Sequence, residues 1–185
     1  MTIDVVHSLG DQLDFHWQNQ LRPRLDGLMD DEYSWEPVAG CWSVRPRGTQ
    51  RTSMAAGSGD LVIDFDHPAP SPTPVTTIAW RLGHLIVGCL GVRAASHFGG
   101  PSYDVLTHEY AGDARTALRQ LDDAYTLWRD GVAALDAEAL ARPVGPAEGP
   151  WADHPMAVLV LHINREVIHH GAEIALLRDL YAHRA

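Results

Sequence analysis

Four stretches of this chain, each long enough for a helix, repeat apolar residues at three- and four-residue steps. Such a period draws one apolar stripe along a helix and leaves the opposite face polar, so each helix must bury its stripe against another. The first stretch runs from about Ile3 to Leu28 through Val6, Leu9, Leu13, Trp17, Leu21 and Leu25, and Pro23 is expected to kink or divide it. The second runs from about Val75 to Phe98, opened by PAPSPTP and closed by Gly99, Gly100 and Pro101. The third covers about Asp113 to Leu135, with Leu118, Leu121, Tyr125 and Trp128 on one face. The fourth covers about Pro155 to Ala182, with Pro155 in its first turn and Asp153 as a candidate N-cap. The expected fold is all-α, an up-down four-helix bundle forming a single domain over residues 1–185.

Between the first two helices lie about 45 residues, Met29 to Pro74, with too many glycines and prolines for a helix. LVIDF and CWSVR are candidate short strands there, enough for a small hairpin. A connection that long in a compact domain either folds over the core or serves function. The 185 residues suffice for one core without disulfides or a structural metal.

Acidic side chains outnumber basic ones 24 to 14, giving a formal charge of -10, and every basic residue is arginine. That balance repels phosphate backbones and acidic lipid surfaces, so neither nucleic acid nor membrane is an expected partner. Two cysteines, Cys41 and Cys89, fit a reducing compartment better than a disulfide framework. The N-terminal residues show no basic segment followed by an apolar block, so no signal peptide is expected. Thr76 to Val92, the most apolar stretch, contains Arg81 and His84 and is expected to fall short of a membrane span. A cytoplasmic protein is the expectation.

Of eleven histidines, several fall in HINREVIHHGAEI of the fourth helix. At about 100° per residue, His170 points into the stripe made by Leu159, Ile163, Val167, Ile174, Leu177 and Tyr181. Glu166 stands at the edge of that stripe one turn earlier, whereas His169 and Glu173 turn toward the polar side. Side chains four apart on a helix lie about 5–6 Å from each other, close enough to share one metal ion. In the second helix, His84 is the single imidazole among apolar neighbours from Thr76 to Arg93. It is either a core histidine satisfied by one hydrogen bond or a third ligand. A buried Glu166 needs a partner, because burying a lone carboxylate costs several kcal/mol. One divalent cation held by His84, Glu166 and His170 satisfies all three.

The passages EPVAGCWSVRPRG, TTIAWRLGHLIVG and REVIHHGAEIALLRDLY together resemble the DinB-like (DinB/YfiT) superfamily. The chain is most similar to the actinobacterial branch that includes the mycothiol-dependent maleylpyruvate isomerases. The resemblance implies a four-helix bundle with a long crossover. It also implies a divalent metal, zinc or nickel, on His84 from the second helix and on Glu166 and His170 from the last. Glu166 departs from the histidine more common in the family, making the site harder and less positive. The resemblance further implies a low-molecular-weight thiol co-substrate, mycothiol or similar, and an electrophilic second substrate.

Three protein ligands leave a coordination position open, as in catalytic rather than structural sites. A dication with one carboxylate carries +1, which a bound thiolate neutralises. The expected function is therefore a metal-dependent thiol S-transferase or a thiol-assisted isomerase. Two alternatives share the ligands: a metal-binding bundle without turnover, and a hydrolase in which Glu173 or His169 serves as base. Arg45 either binds a substrate carboxylate or pairs with an acidic neighbour. Cys41 reads as a small core residue, and a homodimer would suit the apolar helices.

Overall fold

The computed structural model describes residues 4–184. The first helical run consists of α1 (Val5–His16), a π turn over Trp17–Leu21 and α2 (Arg22–Arg24). Asp4 caps α1 by accepting from the His7 N–H at 3.0 Å. Pro23 has no N–H to donate, and the helix reaches it through the π turn, which closes with Arg22 N–H on the Trp17 carbonyl. The expected break at Pro23 is thus a widened turn just before it. A single turn, α3 (Asp30–Tyr33), follows.

The crossover holds more order than a hairpin. Strands β1 (Val44–Pro46), β2 (Met54–Ala56) and β3 (Leu61–Phe65) form an antiparallel sheet in the order β1-β3-β2. Ile63 is the register centre, paired with Val44 on one side and Ala56 on the other. The fold is therefore mostly helical with a small sheet, which corrects the all-α expectation. Asp64 explains why the sheet closes here. Its fully buried carboxylate accepts from the Ser43 and Arg51 N–H groups and from Arg45 Nε, at 2.7–2.9 Å. Three donors around one carboxylate offset its desolvation. The sheet is tied to the second helical run by Trp42, whose backbone bridges Val75 and Thr77 at 2.9 and 3.0 Å.

That second run comprises α4 (Ile78–Gly83), a π segment over His84–Gly91 and α5 (Val92–Phe98). Thr77 caps α4. The third run is α6 (Ala114–Ala133), capped by Asp113, and the short α7 (Ala137–Ala141) follows. A 3-10 strap over Pro146–Trp151 leads to α8 (Met156–Ala182). The α8 cap position is occupied by Pro155, not by Asp153, because the helix starts at Met156 and no side chain caps it.

The four runs share one core. The π segment packs on α6 and α8, and α1 packs on both of those helices. Trp128, Leu121, Leu85, Leu90, Ile163 and Ile174 are fully buried, each of a size that contributes about 1.5–3 kcal/mol of burial. Among the described residues, Ile78–Phe98 is the one helix long and apolar enough to cross a membrane, contrary to the sequence expectation. Its apolar window is 61% buried inside the fold, the position of a core helix.

Candidate metal centre

The last helix delivers its residues as its period dictates. His170 is 7% exposed and Glu166 stands partly buried one turn before it, while His169 is exposed. His170 Nε2 lies 3.4 Å from Glu166 Oε2. The ring of His84, at the start of the π segment, meets the His170 ring edge-on with centroids 4.8 Å apart. On its other side it stacks on Trp80 at 5.2 Å. The structure thus brings His84, Glu166 and His170 into one neighbourhood from two helices.

The protonation of His170 is set by its far nitrogen. Nδ1 lies 2.6 Å from Glu173 Oε2, and a carboxylate can only accept, so the proton sits on Nδ1. Burial holds the His170 pKa below the ordinary histidine value, opposed by its bond to Glu173. The neutral ring then turns an unprotonated Nε2 toward Glu166. Two lone-pair donors facing each other at 3.4 Å call for a cation between them. A carboxylate orienting a ligand histidine through its second nitrogen is a common partner of metal sites. The residues present fit a divalent ion.

Among the described residues, two sets of potential ligand atoms lie within 4.8 Å of one another. One is His84, Cys89 and Glu166; the other is His169, His170 and Glu173. The expected trio is divided between them, with the Glu166–His170 contact joining the two. Electrostatics separates the sets. Arg81 places Nη2 3.1 Å from Glu173 Oε1 and Nη1 3.2 Å from His170 Nδ1. A largely buried guanidinium that close repels a dication, so the second set is the poorer cradle; Arg165 stands 3.6 Å from Glu166 Oε1 but is largely exposed, and solvent screens its charge. Glu173 is held by Arg81 and His170, which suits a positioning residue better than the general base of a hydrolase.

Burial lowers His84 to about 4, with His170 and Arg81 adding, so the ring is neutral and able to ligate. Cys89 was missed by sequence reasoning. Its Sγ lies 3.4 Å from His84 Nε2. In an α-helix, residues five apart stand about 140° from each other, but a π segment closes i to i+5 and stacks them. Burial, with Glu166 adding, pushes the Cys89 thiol up to about 12. Arg81 was also missed, counted only as a charge that interrupts the most apolar stretch.

The remaining candidates lie apart. Arg45 gives Nε to Asp64 and Nη2 to Glu36 and the Cys41 carbonyl, the pairing with acidic neighbours rather than an open carboxylate site. Cys41 is fully buried, its thiol on the Val38 carbonyl at 2.9 Å. Trp128 is core, and Trp151 is 63% exposed.

A cavity of about 470 Å³ is lined by Arg93, Glu148, Trp151, His162 and Arg165 among others, and by none of the candidate ligands. Its wall residue His162 places Nδ1 3.4 Å from Glu166 Oε1. A larger cavity of about 680 Å³ opens between α1 and α6 and is lined by none of the candidate ligands.

No curated protein and no solved structure matches this chain. The sequence model of the DinB superfamily does match, over residues 12–174, from within α1 to within α8. With the greater part of the four helical runs and the whole crossover inside that match, the chain belongs to the DinB superfamily.

Proposed function

We propose that the four helical runs act as an up-down bundle built around one divalent ion, zinc or nickel, on His84, Glu166 and His170. The protein would be a thiol S-transferase, or a thiol-assisted isomerase, using a mycothiol-like co-substrate. The observation that carries the metal reading is the contact of His170 Nε2 with Glu166 Oε2 at 3.4 Å, with Nδ1 committed to Glu173. When bound, the ion would supply a Lewis acid that holds a thiol in its ionised form. Ionisation at neutral pH raises the thiolate fraction only about tenfold over a free thiol of pKa near 8.5, so most of the rate must come from positioning.

The chain's own residues account for that positioning. Glu173 fixes the His170 ring, Arg81 neutralises Glu173, and Trp80 holds His84 by stacking. The cavity whose wall residue His162 touches Glu166 is of a size that accepts a small substrate, and there Arg165 offers an anionic group a guanidinium partner while Arg93 is paired with Glu148. The test is isothermal titration of mycothiol into protein purified without chelators, beside chelated protein. Binding that requires the metal supports the reading. Equal binding with and without metal removes the thiol from the centre, and metal-loaded protein that ignores millimolar thiol moves the protein to the class without thiol turnover.

A further inference from the structure

We propose that Cys89 is a ligand of the same ion, so that the π segment supplies two donors, His84 and Cys89, to the centre. The proposal rests on the metal reading above and adds a sulfur to it. Four observations carry it. Cys89 Sγ, one His84 ring nitrogen and one Glu166 oxygen all lie within 4.8 Å of each other. The Sγ–Nε2 contact is 3.4 Å, and so is the contact of His170 Nε2 with Glu166. Bonds of about 2.0–2.3 Å to an ion at tetrahedral angles separate neighbouring donors by roughly 3.3–3.6 Å. Both contacts already have that spacing.

The third observation is the helix itself. A π segment of eight residues is long for a geometry met mostly as single turns, and widened turns recur where a helix serves a site. Its effect here is specific: it rotates Cys89 under His84, where α geometry would send it about 140° away. The fourth is burial. Cys89 is 3% exposed, and its sulfur faces an imidazole and a carboxylate rather than the apolar surroundings of an ordinary core thiol. In the metal-free protein the thiol is hydrogen-bonded with His84. On metal binding, the S–H proton leaves to solvent and a metal–sulfur bond forms in its place.

This changes the chemistry of the centre. Glu166 and a Cys89 thiolate together neutralise a dication, so the site no longer needs an external thiolate for charge balance. The mixed N, O and S donors favour zinc over harder ions. An incoming thiol must then compete with Cys89 or join as a further ligand.

The experiment is a cobalt(II) titration of apo wild-type protein, Cys89→Ser and Cys41→Ser, followed by absorption spectroscopy. Expected is a thiolate-to-cobalt charge-transfer band in wild type and Cys41→Ser that is absent from Cys89→Ser. That variant should still bind cobalt, at least about tenfold more weakly, since even outer partners of a ligand are worth 10–100-fold. Cobalt bound by wild type without the band overturns the role of Cys89 and leaves the metal reading standing. No cobalt binding by wild type overturns both. Should Cys89→Ser not fold, X-ray absorption of zinc-loaded Cys41→Ser protein decides without it. A sulfur scatterer at about 2.3 Å supports the proposal and a shell of only nitrogen and oxygen overturns it.

Discussion

Replacing Glu173 with alanine isolates the control of His170, because Nδ1 of that ring stands between two opposite instructions. Glu173 Oε2, 2.6 Å away, can only accept a proton, and Arg81 Nη1, 3.2 Å away, can only donate one. With Glu173 present, the proton is on Nδ1 and Nε2 is free to ligate. In Glu173→Ala, Arg81 becomes the remaining partner, Nδ1 accepts, and the proton moves to Nε2, where Glu166 accepts it. A protonated Nε2 cannot hold a metal. Undoing that arrangement means breaking a charge-assisted bond worth about 1.5–3 kcal/mol. At 1.4 kcal/mol per tenfold, metal affinity should fall about 10–100-fold. Zinc titration of the apo variant against a competing chromophoric chelator measures it. The double variant Arg81→Met/Glu173→Ala removes both instructions and should recover part of the loss. Wild-type affinity in Glu173→Ala would refute the tautomer argument. No recovery in the double variant would show that the pull of Arg81 on the His170 proton is not what lowers the affinity.

Metal analysis of His170→Ala should find the ion lost, and of His169→Ala find it retained, because His170 turns a nitrogen toward Glu166 whereas His169 faces Glu173; the opposite pattern would move the centre to the Glu173 side. Trp128→Ala should cost about 3–5 kcal/mol in denaturant unfolding, since the indole is fully buried beneath Phe98. Asp113→Ala should cost about 1 kcal/mol by removing the α6 cap, a bond of 2.7 Å from the Thr116 N–H. The Thr116 N–H bond it accepts, with the Thr116 hydroxyl adding, holds the Asp113 pKa below the ordinary carboxylate value. Its contribution is therefore complete above the unfolded-state value and fades as pH falls through the folded one, so the wild-type and variant unfolding curves should converge in acid.

Much of this was legible from residue spacing. The α8 stripe, the burial of His170 with Glu166 at its edge, and the outward turn of His169 all follow from a regular 3.6-residue period. The second helical run broke that rule. Its π segment changes which residues share a face, and no propensity distinguishes HLIVGCLG from an α-helix, so the Cys89–His84 contact could not be read by counting. Arg81 escaped for another reason: its importance comes from a partner on α8, eighty-nine positions away. In the crossover, β1 and β3 coincide with the expected CWSVR and LVIDF passages, but β2 is three residues of Met54–Ala56, too short to carry alternation. It exists because β3 offers a second edge and Asp64 gathers the loop around it.

The anchoring of Trp80 has a consequence for lifetimes rather than affinities. Its indole N–H donates to the Asp64 carbonyl of β3 at 2.7 Å, while its ring lies against His84. The ring of His84 is thereby tied through Trp80 to the backbone of the small sheet. With an ion bound at the proposed centre, the crossover would act as a latch, release of the ion requiring Trp80 to give way. A change in the crossover far from any donor atom, at Arg45 whose side chain holds Asp64, would then hasten exchange while leaving the equilibrium nearly untouched.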